Sequence, residues 1–327
     1  MRQGEIVEQG PVTDIISNPR HDYTRELLQC MPMRGPLRDI DPQSKPVMEV
    51  RGIEVTYSAR AGFLAPQTTK KALHGVDLVV RPGEIVALVG ASGSGKTTLG
   101  RCIAGLVPAS AGRIFFDGEE VKPDSPAWRN YRLNCQMIFQ DPFGSLDPRM
   151  KIRDIVAEAL RHDTTSTREE KLHRTRAILE EVGLDGRYLD RFPHELSGGQ
   201  RQRVAIARAI VGRPQFVIAD EAVSALDVTV RARVLELLAD LQKRYGFSCL
   251  FISHDLGVVE QLADRVVVMR DGAIVEQGNR DDIFDAPRSE YTRALLSAIP
   301  TLTRTQTGVS LNWRFAESEK QQVDALQ

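Results

Sequence analysis

The chain has 327 residues, 42% of them hydrophobic, and sets 43 Lys and Arg against 44 Asp and Glu for a formal net charge of −1. That length holds one large domain or two modest ones with a sizeable core, and the charge balance excludes bulk attraction to nucleic acid or to an anionic membrane. Four scattered cysteines (Cys30, Cys102, Cys135, Cys249) with no C-x-x-C pair exclude a disulfide framework or cysteine metal cluster and read as buried small hydrophobes of a reducing compartment. No run of about 18 apolar residues or signal-peptide core argues for a membrane span or export.

In chain order, the first element is a repeat. Residues 1–32 align without a gap on residues 269–300, at a constant offset of 268 and with 18 of 32 positions identical. One repeat at so long a spacing is not a solenoid. It reads as the tail of a preceding, similar domain, which makes the chain the second half of a tandem. Residues 33–47, with Pro36, Pro42 and Pro46, read as a linker.

The main domain, residues 48–300, opens with a strand over 49–57 whose alternation (Val50, Ile53, Val55, Tyr57) is kinked at Gly52. Further strands are predicted over 76–80, 85–89 and 113–116. Residues 85–99, IVALVGASGSGKTTL, join a strand to a helix through the spacing G-x-x-x-x-G-K-T, filled by Gly90, Gly95, Lys96 and Thr97. Glycines let the backbone wrap phosphate oxygens and aim N–H groups inward, and the following helix presents its positive end to the same anion. Ser92, Gly93, Ser94 and Thr98 complete this cradle. Lys96 is the residue to reach β- and γ-phosphates, and the Thr97 hydroxyl is a magnesium ligand.

From about residue 121 to 213 the pattern turns helical, an inserted subdomain. Leu172, Leu179 and Val182 share one helical spacing, as do Val204, Ala207 and Val211 on a helix starting near Gly199, with Gly212 and Pro214 as the stop. A buried-type strand over 216–219 ends in Asp220 and Glu221. Val230, Val234, Leu237, Leu238 and Leu241 mark an amphipathic helix, and strands follow over 249–252 and 266–269. Short apolar strands alternating with helices predict a mainly parallel sheet with both faces covered. Residues 301–327 are polar and aperiodic and are expected to be flexible.

A second glycine motif discriminates among P-loop proteins: Leu196-Ser197-Gly198-Gly199-Gln200, about 20 residues before the strand that ends in Asp220. Here the chain resembles the ATP-binding cassette family, whose signature sequence is L-S-G-G-Q. The resemblance covers residues 48–300 and implies a P-loop NTPase (RecA-like) α/β core with an antiparallel β subdomain and an inserted helical signature subdomain. Gln140 in Phe139-Gln140-Asp141-Pro142 matches the family's glutamine loop, Ser224 to Asp227 the loop after the acidic strand end, and His254 the switch histidine.

The resemblance and the chemistry together imply these roles. Asp220 helps hold Mg2+ with Thr97 and Gln140; Glu221 polarises the attacking water; His254 and Lys96 contact the γ-phosphate; Tyr57, with Phe63 in reserve, stacks on adenine. Ser197, Gly198, Gly199, Gln200 and Asp227 form a second nucleotide surface that cannot close on the P-loop of its own chain, so a head-to-tail pair with a second cassette is implied. Where many relatives have Pro-Thr after the glutamate this chain has Ala222-Val223, and a looser turn is expected there.

Residues 140–150 (QDPFGSLDPRM) and 283–296 resemble the ATPases of dipeptide, oligopeptide and nickel importers. The implied function is an ATP-hydrolysing subunit at the cytoplasmic face of the cell (inner) membrane, docked on two integral permease subunits and served by a substrate-binding protein, with ATP and Mg2+ and no nucleic acid. The alternative is a soluble cassette ATPase acting on nucleic acid or ribosomes, against which the balanced charge and the importer-type tail weigh. Some members of this group carry a cysteine cluster for an iron–sulfur centre in the tail; with only Cys30 in such a region, none is expected.

Overall fold

The computed structural model describes residues 1–30, 34–60, 67–297, 300–305 and 308–313. Its centre is a six-stranded sheet built from β3 (Ile85–Val89), β6 (Cys135–Ile138), β7 (Phe216–Asp220), β8 (Ser248–Ile252), β9 (Arg265–Arg270) and β10 (Ala273–Asn279), in the order β10-β9-β3-β8-β7-β6. All neighbours are parallel except β10, which pairs antiparallel with β9. Every residue of β3, β7 and β8 is buried, as the unbroken apolar runs require of strands covered on both faces.

Alternate residues of β3 serve two cores. Val86 and Leu88 join Leu99 and Ile103 of α3 (Lys96–Ile103) and the inner residues of an antiparallel sheet, whereas Ile85, Ala87 and Val89 face the helical side of the molecule. The antiparallel sheet has the order β2-β1-β4-β5, from β1 (Met48–Arg60), β2 (Gln67–Val80), β4 (Ala111–Phe116) and β5 (Glu119–Glu120). The expected kink lies where it was placed: Gly52 has φ 60°, and the β1–β2 register shifts between Val50 and Ile53.

The segment expected to be helical from 121 to 213 is not uniformly so. After α4 (Pro126–Asn134) the chain returns to the sheet as β6, a buried edge strand of four residues, too short for its periodicity to stand out. The inserted helices, α5 (Pro142–Ser145), α6 (Ile152–Glu158), α7 (Arg168–Glu181) and α8 (Gly198–Ile210), all lie in the crossover between β6 and β7. Leu172 does not share the buried face with Leu179 and Val182: it is 45% exposed, because α7 enters the core only from Thr175 onward. Gly199 has a packing reason to be glycine, since a Cβ there would sit 2.5 Å from Val230 Cγ1 on α9 (Val228–Tyr245). α10 (Leu256–Leu262) follows β8.

The two halves of the repeat fold alike. α1 (Val12–Ser17) and α2 (Asp22–Gln29) at one end match α11 (Arg280–Asp285) and α12 (Glu290–Ser297) at the other. Between the first copy and β1 lie residues 34–47, of the segment 33–47 read as a linker. They form a strap held by Arg34, which pairs with Glu260, Asp281 and Asp285, and by Arg38, which pairs with Asp264 at 2.8 Å. Cys102, Cys135 and Cys249 are buried as expected, their thiols pushed by burial to about 11, 12 and 12, but Cys30 is half-exposed. In the tail expected to be flexible, β11 (Pro300–Thr305) pairs antiparallel with β12 (Gly308–Trp313), and residues 314–327 lie outside the described residues.

Candidate functional site

The P-loop leaves β3 at Gly90 and enters α3 at Lys96, and its three glycines hold positive φ: Gly90 149°, Gly93 80° and Gly95 104°. A Cβ on Gly90 would lie 2.2 Å from the Met269 carbonyl oxygen, so the turn can lie against β9 only as glycine. Lys96 is buried, and its ammonium donates to the carbonyls of Gly90 (2.8 Å) and Ala91 (2.9 Å). Burial pushes this ammonium below its ordinary range, with Glu221 and Asp220 opposing.

The Thr97 hydroxyl donates to Asp220 Oδ1 at 3.1 Å. Asp220 is 1% exposed at the end of β7, and burial pushes its carboxyl up. A hydroxyl and a buried carboxylate side by side are the hard oxygen donors that Mg2+ takes alongside phosphate and water, so the residues present fit that ion.

Glu221 comes next in the chain at φ 46°, an unusual backbone state for a residue other than glycine. Its N–H donates to the Ile252 carbonyl at 2.9 Å, while the Ser224 N–H and hydroxyl both reach its own carbonyl, at 3.1 and 3.0 Å. With Ala222 and Val223 both buried, this turn is tied down, which corrects the looser turn expected of Ala-Val. The Glu221 carboxylate accepts from Gln140 Nε2 at 2.7 Å and lies 3.1 Å from His254 Nδ1. Residues 140, 221 and 254, far apart in sequence, therefore meet at one carboxylate.

These groups line a cavity of about 820 Å³ with Ser92, Gly93, Gly95, Lys96, Thr97 and Thr98 of the P-loop and α3. Tyr57, 44% exposed on β1, lines it too, its hydroxyl 3.5 Å from Thr98 Oγ1. Phe63 lies outside the described residues. Ser94 is buried within the P-loop turn, its hydroxyl without a partner among the described residues.

The signature residues are not brought to this cavity. Ser197 caps α8 in a reciprocal box with Gln200, the Ser197 N–H donating to Gln200 Oε1 at 2.9 Å, and Gln200 Nε2 donates to the Tyr188 hydroxyl. Gly198 is exposed. Asp227 caps α9, accepting from the Val230 N–H at 3.0 Å and the Thr229 hydroxyl at 2.8 Å; these bonds, that of Val230 foremost, hold its carboxyl below the usual range.

Sequence reasoning missed several neighbours of the P-loop. Asp271 and Gly272, in the β9–β10 turn, line the cavity with Lys70, Lys71 and His74. The Gly272 N–H donates to the Ser94 carbonyl at 2.9 Å, and the Ala91 N–H donates to the Tyr291 hydroxyl at 3.0 Å. One signal could have drawn attention to Tyr291: it is identical in both copies of the repeat, as Tyr23.

A family profile described as "ABC transporter" matches residues 73–224, and one described as "Oligopeptide/dipeptide transporter, C-terminal region" matches twice, at 7–53 and 275–321. The peptidoglycan transport ATP-binding protein YejF of Agrobacterium fabrum is 44% identical over 310 residues, 94% of this chain and 56% of that protein. The glutathione import ATP-binding protein GsiA of Escherichia coli (strain K12) is 42% identical over 329 residues, 92% of this chain and 52% of that protein. The chain thus spans about half the length of these curated relatives. Among solved structures, cbiO1 from Clostridium perfringens, part of the ABC transporter complex cbiONQ, superposes with a TM-score of 0.63 at 28% identity, covering 74% of this chain and 92% of that one. The ATP-binding cassette MJ0796, dimeric and bound to ADP and Pi, gives 0.62 at 26% identity, covering 71% and 98%.

Proposed function

The chain belongs to the ABC transporter ATP-binding family, and from that membership we propose that it binds and hydrolyses ATP to drive import of peptides or related cargo such as glutathione or nickel. The observation that carries the reading is the convergence of Gln140 and His254 on Glu221 in the cavity that Lys96 also lines.

The phosphates lie on the inward N–H groups of the P-loop and at the N-terminus of α3, and the Lys96 ammonium, with three N–H donors, keeps its Gly90 carbonyl partner and turns the other two to β- and γ-phosphate oxygens. Thr97, Asp220 and Gln140 would hold Mg2+, which would neutralise charge on the phosphates. Glu221 takes the proton of the attacking water, Gln140 orients that carboxylate, and His254 contacts the γ-phosphate; Tyr57 stacks on the base. Ser197, Gly198, Gly199, Gln200 and Asp227, which lie away from this cavity, cover the nucleotide of a second cassette packed head to tail.

The remaining partners in this reading are two membrane permease subunits and a substrate-binding protein, with the chain peripheral on the cytoplasmic face of the inner membrane. Among the described residues no helix is long and apolar enough to cross a membrane. Residues 1–32 repeat the sequence of residues 269–300, α1 and α2 match α11 and α12, and in this reading the first copy is the tail of another cassette. Glu221→Gln is expected to retain ATP binding and to slow steady-state hydrolysis about a hundredfold or more. Hydrolysis at the wild-type rate would remove Glu221 from the role of base.

A further inference from the structure

We propose that Tyr291 is a positioning residue for the ATP site: its hydroxyl fixes the Gly90–Ala91 peptide of the P-loop and, through that peptide, the ammonium of Lys96. The inference rests on the nucleotide reading of the cavity. The Gly90–Ala91 peptide is held at both ends, its N–H donating to the Tyr291 hydroxyl at 3.0 Å and its carbonyl, that of Gly90, accepting from Lys96 Nζ at 2.8 Å. Tyr291 stands on α12, outside the matched cassette region of residues 73–224, so this support reaches the P-loop from the tail.

The tail holds Tyr291 in place by its own contacts. The Arg270 guanidinium lies 5.0 Å from the Tyr291 ring centroid. Glu276 accepts from the Arg288 N–H at 2.7 Å and the Ser289 N–H at 3.1 Å, which anchors the start of α12 to β10.

The first copy of the repeat supplies an internal reference. There Arg2 lies 5.2 Å from the Tyr23 ring centroid, and Glu8 accepts from the Arg20 and His21 N–H groups at 2.8 and 3.2 Å. The turn is reproduced as well: Gln3 and Gly4 have φ 52° and 85°, against 48° and 80° for Asp271 and Gly272. The tyrosine is therefore presented in the same way with no P-loop against it, so its orientation is built by the unit and not induced by Ala91. Among the described residues, only the second copy's tyrosine hydroxyl meets the P-loop.

The test compares Tyr291→Phe with Tyr23→Phe in the full chain; both keep the ring and its arginine. ATP affinity, KM and kcat are measured, together with hydrogen exchange at the Ala91 amide. Tyr291→Phe is expected to weaken ATP binding and raise KM about three- to tenfold, the range of one neutral hydrogen bond, with kcat within about twofold and faster exchange at Ala91. Tyr23→Phe is expected to leave all four unchanged. Wild-type ATP affinity in Tyr291→Phe, or an equal loss in Tyr23→Phe, overturns the proposal and leaves the nucleotide reading intact. A wild-type chain that binds no ATP overturns both.

Discussion

The two copies of the repeat share a local plan and differ in what lies beneath them. In both, a glutamate clamps the start of the second helix, an arginine lies over a tyrosine, and a left-handed residue pair makes the turn. In the second copy Ile283, Phe284 and Leu296 are 3%, 0% and 1% exposed in the core, whereas their counterparts Ile15, Ile16 and Leu28 are only half-buried. Short-range hydrogen bonds and the aromatic stack are enough to shape the unit, and packing decides whether it is a structural part of the cassette.

The sharpest way to break that comparison is in the apolar residues. Phe284→Ala is expected to cost about 3–5 kcal/mol, and Ile16→Ala under about 1.5 kcal/mol because its site is already open to water. Urea denaturation of the two variants reads both values, and equal losses would mean that the first copy is as deeply packed as the second.

Acid gives a smaller effect. At Glu276 burial raises the carboxyl, but the hydrogen bonds it accepts, among them those from the Arg288 and Ser289 N–H groups, outweigh it and hold the carboxyl below the ordinary glutamate range. Glu8 is held low too, by Thr24 first and then by the Arg20 N–H. Both groups stabilise their clamp fully above the ordinary glutamate value and lose that contribution as pH falls through the lowered folded value. Residue-resolved hydrogen exchange on acidification is expected to show α2 losing protection before α12, which core packing still holds; simultaneous loss would contradict the difference in packing.

The smallest effect lies where the first copy touches the cassette. Glu26 on α2 meets Arg233 on α9 at 2.9 Å, with both side chains substantially exposed. Arg233→Ala is expected to cost under about 1 kcal/mol in thermal unfolding. A larger loss would assign the first copy a firm seat on α9.

Much of the site is legible in the sequence because its parts are encoded by spacing within single elements. The P-loop needs glycines at fixed intervals, Asp220 and Glu221 follow an apolar run of strand length, and His254 follows another. What escaped reading depends on juxtaposition or brevity. The Ala91–Tyr291 bond joins residues 200 positions apart. β6 has only four residues, and Leu172 has helical spacing but sits on a turn that projects from the core. Ser197 and Gln200 carry two readings at once: a family signature, and the S-x-x-Q capping box that the structure uses to start α8.

The strap ahead of β1 has a mechanical consequence. Asp264, which receives Arg38, also accepts from the Ile85 N–H at 2.8 Å, at the root of the strand that carries the P-loop. A pull on the chain ahead of residue 34 is met first by the Arg34 carboxylates and then by Asp264. Load arriving from that side therefore ends at the base of the parallel sheet, and β1 is spared from being peeled off its neighbours.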